Sequence, residues 1–290
     1  MTDGGLPERL AQASARVPFR VKVGLVWVVI FTILGFFFWV AGFDTAWMGD
    51  KLPFIAKGLT YTVYIAVGGI VLAILLACLG ALAATSRNPV AYGVAGFYVS
   101  FFRGTPLIVQ IFLLYLALPQ VGSNLRDKFP VLSRGFEQAF VLEAMVAGIL
   151  ALGLNYGAYM TEIFRAGIQS VSGGQGEAAD ALGLSYAQKM RIVVLPQAFR
   201  MIIPPTGNEF IAMMKDTALI SFIGASLDTS EVFRRAQLVG KAEFRNLEAL
   251  IVAAALYWAL TAVFTFFQRK LESRLAAGYV RDQLPARGNH

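Results

Sequence analysis

The sequence predicts an all-α integral membrane protein of about six transmembrane helices, five forming a core and one added at the amino terminus, with a helical loop outside the bilayer. Three observations predict it. Hydrophobic residues make up 57% of the 290-residue chain and charged residues 15%, far from the balance of an average soluble domain. The apolar excess is gathered into runs near the ~20 residues that a helix needs to cross a bilayer. Between two such runs lies a polar, helix-forming island, Gly173 to Arg200, which those flanking segments place outside the membrane.

Residues 1–22 form a polar tail with Arg9, Arg16, Arg20 and Lys22. No small-residue cleavage site follows the next apolar run, so residues 23–43 are expected to stay as a first spanning helix and not to leave as a signal peptide. A short loop with Asp44, Asp50 and Lys51 leads to a second helix over 59–84, which stops before Arg87 and Pro89. The third segment, 91–119, is interrupted by Arg103-Gly104-Thr105-Pro106, because proline cannot continue the hydrogen-bond ladder and glycine weakens the turn before it. Two arrangements compete. Either one kinked helix carries Arg103 in mid-membrane, or residues 91–102 lie along the inner interface and the crossing helix starts at Thr105. An arginine at the bilayer centre costs at least about 2.5–3.5 kcal/mol, which favours the second arrangement or an arginine facing a wet cavity. Residues 105–120 are short for a span and call for an untilted helix or a thinned bilayer.

A loop with Arg126, Asp127, Lys128 and Arg134 precedes the fourth helix, 140–164. After the polar loop, 168–200, a fifth segment over 202–227 opens on Pro204-Pro205 and carries Asn208, Glu209, Lys215 and Asp216. A polar stretch with Arg234, Arg235, Lys241 and Arg245 separates it from the sixth helix, 247–267, and a basic tail. The expected organisation is thus a tail over 1–22, the added helix over 23–43, a core over 55–271 and a carboxyl tail over 272–290. With the amino terminus inside, fourteen Lys and Arg fall on the inner side and eight in the outer loops, which puts both termini and the polar loop in the cytoplasm.

The island reads as two short helices with a corner. Ser172 with Gln175, and Ser185 with Gln188, have the form of capping boxes. Ala178, Ala179 and Ala181 favour helix, Gly183 can take the left-handed conformation that ends the first one, and Pro196 is expected to end the second. A first helix faced with alanines lets a partner surface come close, so it reads as a docking knob.

Several function classes are excluded. The net charge of +7 suggests nucleic acid, yet no aromatic-interleaved basic stripe occurs and the charges flank apolar segments. Cys78 and His290 each stand alone of their kind, which leaves no metal cluster and no catalytic triad, and no Gly-rich phosphate loop is present. No catalytic residue or metal site is expected.

Glu177-Ala178-Ala179, Asp180, Gly183, Ile192 and Leu195-Pro196 resemble the EAA-type loop of permease subunits of bacterial ATP-binding cassette importers. Phe102 to Leu107 with Gln110, then Tyr159, Glu162, Arg165 and Gly167, then Gln197-Ala198, Pro204-Pro205, Asn208-Glu209 and Lys215-Asp216-Thr217 are similar to permeases for polar amino acids, over residues 58–271. The resemblance implies a chain of the bacterial plasma membrane that forms half of a translocation pathway. It implies a second permease subunit, identical or related, an ATPase subunit that binds ATP and Mg, and an extracytoplasmic binding protein, with no cofactor and no ATP hydrolysis in this chain. Glu177, Ala178, Ala179, Asp180, Leu182, Gly183 and Leu184 would couple it to the ATPase.

For the pathway, an amino-acid zwitterion needs donors for its carboxylate and acceptors for its ammonium group. Arg103, Gln110, Asn155, Tyr156, Glu162, Asn208, Glu209 and Lys215 are the polar groups in or near apolar segments, and Gln110 and Asn155, lacking local partners, are the leading candidates for a cavity lining. Glu162 and Arg165, three apart, also suit a structural ion pair, and Lys215 and Asp216 could pair with each other. The expected substrates are glutamine, glutamate or aspartate. The alternative reading is a secondary carrier or channel that needs no ATPase; it lacks the paired broken helices of two similar halves.

Overall fold

The computed structural model describes residues 18–171, 173–224 and 226–276, and every regular element among them is helical. The backbone separates into two units, residues 1–49 and 50–290. The first holds α1 (Phe19–Ala41), an apolar helix closed by Gly42 at φ 66°, whose N–H returns to the Trp39 carbonyl. The loop expected around Asp44, Asp50 and Lys51 is instead a helix, α2 (Thr45–Ala56). Asp44 starts it by accepting the Trp47 N–H at 2.9 Å.

The second unit is built on α3 (Gly58–Ala84) and α8 (Ala144–Gln169), which run parallel. Leu72 meets Gly153, Leu76 meets Gly157 and Gly80 meets Thr161, each pair 81 residues apart. A constant difference between partners means equal direction. A Cβ on Gly153 would sit 2.5 Å from Leu72 Cδ2, so only glycine lets the backbones approach this closely. The spacing Gly153-x-x-x-Gly157 is the sequence signal for this seam. Parallel α3 and α8 require the chain between them to return.

That return is broken as expected, but differently placed. α4 (Pro89–Gly104) starts at Asn88, whose side chain accepts from the Val90 and Ala91 N–H groups, and packs along the carboxyl-terminal halves of α3 and α8. It ends beside Tyr159, near the middle of α8. Arg103 is therefore carried at mid-helix depth and faces a cavity, as in the kinked arrangement, while α4 does not lie apart along an interface. Thr105 and Pro106 are extended, and the chain resumes as α5 (Leu107–Phe112), a π-helical turn (Leu113–Ala117) and α6 (Leu118–Lys128). The crossing piece is thus longer than residues 105–120. The short α7 (Arg134–Gln138) is tied to α6 by the Arg126–Glu137 ion pair, and Phe140 packs on Gly122, which holds residues 140–143 out of the fourth helix.

The loop forms α9 (Gly173–Ala181) and α10 (Tyr186–Lys189). Ser172 lies outside the described residues, but the second capping box is present: Ser185 N–H donates to Gln188 Oε1 at 2.9 Å and the Gln188 N–H to Ser185 Oγ at 3.4 Å. Pro196 does not end the helix. A π-helical turn (Met190–Val194) leads straight into α11 (Leu195–Asp216), with Pro196 in its first turn. Pro119 also follows a π turn. The reason is common to both: a proline ring collides with the carbonyl four residues back and offers no N–H, and a widened turn just before it gives the room.

α11 thus begins before Pro204-Pro205, which sit in its interior, and gives way to a 3-10 segment (Thr217–Ile223). Gln268 Nε2 of α13 (Asn246–Ala276) donates to the Pro204 carbonyl at 3.1 Å and braces this stretch. α11 is too polar to count among the helices long and apolar enough to cross a membrane; among the described residues those are five, at 19–41, 58–84, 107–128, 144–169 and 246–275. α13 continues through Arg269, Lys270 and Arg274, so the start of the basic tail is helical. α12 (Val232–Ala242) is capped by Glu231, 1% exposed, which accepts from the Phe233 and Arg234 N–H groups and from Tyr257 Oη, all at 2.6 Å. Burial raises the Glu231 carboxyl above its usual range, and these three donors oppose the shift.

Candidate functional site

Where α4 breaks, Pro106 leaves the Phe102 carbonyl without the N–H that a continuous helix would supply. Two amide side chains fill that gap. Gln110 Nε2 lies 2.9 Å from the Phe102 carbonyl, 3.1 Å from the Thr105 carbonyl and 2.7 Å from Thr105 Oγ1, and Asn155 Nδ2 of α8 donates to the same Phe102 carbonyl at 2.9 Å and to Gln110 Oε1 at 3.1 Å. Gln110 is 2% exposed and works as a splint beneath the break. Asn155 both splints and lines the open space beside it.

That space is an open-sided cavity of about 490 Å³ lined by residues 103–107 of the break, Asn155, Tyr156 and Tyr159 of α8, and Glu209 and Asp216 of α11. The Arg103 guanidinium carbon stands 5.1 Å from the centre of the Tyr159 ring, and Tyr156 Oη donates to Asp216 Oδ2 at 2.8 Å. The lining thus offers one guanidinium, two carboxylates, two phenols and an amide within a volume typical of small-molecule sites. Such a set can bind a zwitterion at both ends. Asp216 and Tyr159 are absent from the candidates drawn from sequence. Helical spacing was the available signal, since Asn155 and Tyr159 are four apart and Glu209 and Asp216 seven apart, each pair on one face.

The other candidates lie elsewhere. Glu162 pairs with Arg165 at 2.6 Å, and Arg165 Nη1 donates to Gln169 Oε1 at 2.7 Å, along a second cavity of about 510 Å³ between α4 and the carboxyl-terminal part of α8. Asn208 accepts from Gln268 Nε2 at 2.9 Å and faces α13, and Lys215 is exposed while its neighbour Asp216 is held by Tyr156.

In the loop, Gly183 has φ 74° and closes α9 with two bonds, Leu184 N–H to the Ala179 carbonyl at 3.1 Å and Gly183 N–H to the Asp180 carbonyl at 3.0 Å. Asp180 accepts from Lys189 Nζ at 2.7 Å, which fixes the angle between α9 and α10. Glu177 and Ala178 are exposed, Leu182 is 81% exposed, Leu184 is half-buried and Ala179 is buried against the rest of the loop. An aliphatic and small-residue surface on a stiffened corner is therefore presented outward.

Residues 69–277 match the family described as the binding-protein-dependent transport system inner membrane component. The arginine transport system permease protein ArtQ of Bacillus subtilis is 36% identical over 225 residues, 78% of this chain and 94% of the relative. The glutamine transport system permease protein GlnP of Escherichia coli is 33% identical over 233 residues, 80% of this chain and 98% of the relative. Among solved structures, an amino acid ABC transporter crystallised with histidines has 35% identity and a TM-score of 0.69, covering 80% of this chain and 98% of its own. The methionine transporter MetNI, at 15% identity and a TM-score of 0.58, shares the fold. The chain belongs to the family of binding-protein-dependent transport system inner membrane components, the permease subunits of ATP-binding cassette importers.

Proposed function

We propose that this chain forms the translocation pathway for a polar amino acid, with the cavity at the α4 break as the place where that amino acid sits. The observation that carries the reading is the opposed charge of one small cavity: Arg103 facing Glu209 and Asp216, with Asn155, Tyr156 and Tyr159 between. Arg103 receives the α-carboxylate and one carboxylate receives the α-ammonium group. The second carboxylate then meets the side chain, which ranks glutamine and basic side chains ahead of aspartate and glutamate. Relatives named for arginine, glutamine and cystine transport support a polar amino acid.

The energy comes from a separate ATPase subunit that binds ATP and Mg and docks on Glu177 to Leu184; this chain hydrolyses nothing. An extracytoplasmic binding protein delivers the amino acid, and a second permease, identical or related, completes the pathway. The excess of Lys and Arg on the side of the loop supports cytoplasmic termini in a bacterial inner membrane. The deciding experiment is the ATPase activity of the reconstituted complex with polar amino acids added singly. Stimulation by one or a few, reduced in D216N and E209Q, is the expected result. No association with an ATPase and no stimulation by any amino acid would overturn the reading.

A further inference from the structure

The two polar cavities are stacked along one seam. α4 and α8 pass each other in opposite directions: Arg103, at the end of α4, meets the middle of α8, while Tyr92 and Ser100 face the last turns of α8. On α8 the positions 155, 159, 162 and 169 follow helical spacing on one face, so Asn155 and Tyr159 line the first cavity, and Glu162 and Gln169, joined by Arg165, line the second. Only about one helical turn separates Tyr159 from Glu162. Along α8, Tyr159 belongs to the first lining and Glu162, three residues on, to the second, and the Tyr159 ring carries the Arg103 guanidinium 5.1 Å from its centre.

We propose, resting on the transport reading above, that Arg103 and Tyr159 are a partition between the amino-acid cavity and an inner chamber through which the amino acid leaves toward the coupling loop. The inner chamber has the chemistry to pass a zwitterion. Glu162 and Arg165 offer opposite charges three residues apart, and each side chain keeps a third of its surface exposed despite the pair. Charges left facing lipid are costly, so the open side of the chamber belongs toward water or the second permease. The chamber also ends at Gln169, four residues before α9, so its floor is attached to the element on which an ATPase would pull. A cation on a ring makes a partition that can part without leaving the guanidinium uncompensated, because the Glu209 carboxylate lines the same cavity and can take it instead.

The test uses the full complex with its ATPase in proteoliposomes and a C78A background, which removes the chain's own cysteine. Ser100→Cys places a thiol in the inner chamber, and a membrane-impermeant thiol reagent is added to one face or the other. In the parent and in Y159F, which keeps the ring, the expected reaction is from the loop side and slower by roughly tenfold or more from the opposite side. Y159L and R103Q each delete one half of the contact and should remove that asymmetry. Either variant that co-purifies with the ATPase decides the matter. Equal rates from both faces in the parent, no reaction from the loop side, or an asymmetry untouched by the variants would overturn the proposal. Amino-acid-stimulated ATPase activity of the same parent preparation reports on transport separately. Asymmetry without stimulation would sink the transport reading, and stimulation without asymmetry would sink the partition alone.

Discussion

Replacing Gly183 by valine isolates what the loop's corner does. A Cβ built at Gly183 meets nothing within 4 Å, so the substitution introduces no clash and acts through the backbone alone. The residue sits at φ 74°, where a side chain costs about 1–2 kcal/mol and a β-branched one at least as much. That is a factor of roughly 5–30 in the population of the closed corner, on a motif held by only two backbone bonds, Leu184 to Ala179 and Gly183 to Asp180. Asparagine tolerates this conformation and provides the control. The assay is amino-acid-stimulated ATP hydrolysis by the reconstituted complex, with recovery of the assembled complex measured alongside. G183V should assemble in the membrane and lose at least about fivefold in stimulation, while G183N stays within about twofold of the parent. Full stimulation in G183V would refute the idea that a stiff corner transmits force. Equal damage from G183N and G183V would refute backbone strain as the cause and point to the partner surface.

Three further outcomes follow from the packing and the buried polar groups. G153V should destabilise the fold by about 1–3 kcal/mol, because its Cβ falls 2.5 Å from Leu72 Cδ2, and L72A in the same chain should restore part of the loss in a thermal-unfolding measurement in detergent. Q110L takes one donor from the part-buried Phe102 carbonyl, which then keeps Asn155 alone, and another from the Thr105 carbonyl, about 1–3 kcal/mol by the same measurement, whereas N208A, on the far face of α11, should change stability little. For Glu231 the folded carboxyl titrates above its unfolded value, so its contribution is most favourable below the usual glutamate range and is lost as pH rises toward the folded pKa. The stability of the parent relative to E231Q should therefore fall with rising pH across that window, and a difference that grows with pH would contradict the assignment.

Much of this architecture was legible in the residues. Apolar runs of spanning length, the proline-glycine break at 103–106 and the capping pattern of Ser185 with Gln188 are local signals, and local signals survive without knowledge of the fold. What escaped was non-local or depended on a neighbour. Pro196 reads as a stop, yet a π turn absorbs its ring and the helix runs on, a solution that no propensity encodes. Gln110 and Asn155 look unpartnered along the chain because their shared acceptor, the Phe102 carbonyl, becomes free only when Pro106 breaks α4. Asp216 reads as the partner of Lys215, but helical geometry turns it seven residues on from Glu209 and into the same cavity, under Tyr156. Phe140 to Glu143 has helix-compatible composition and is held out of α8 by contacts with Gly122 and by the Arg126–Glu137 pair.

The parallel seam of α3 and α8 also limits how this sequence can drift. Because Leu72 fills the space above Gly153 and Thr161 that above Gly80, neither side can gain a methyl group unless its counterpart loses one. Mutations there are acceptable only in compensating couples, and the first member of each couple passes through a damaged intermediate. Across lineages descended from this chain, positions 72 and 153 should therefore vary together or not at all, a pattern of paired inheritance confined to this seam.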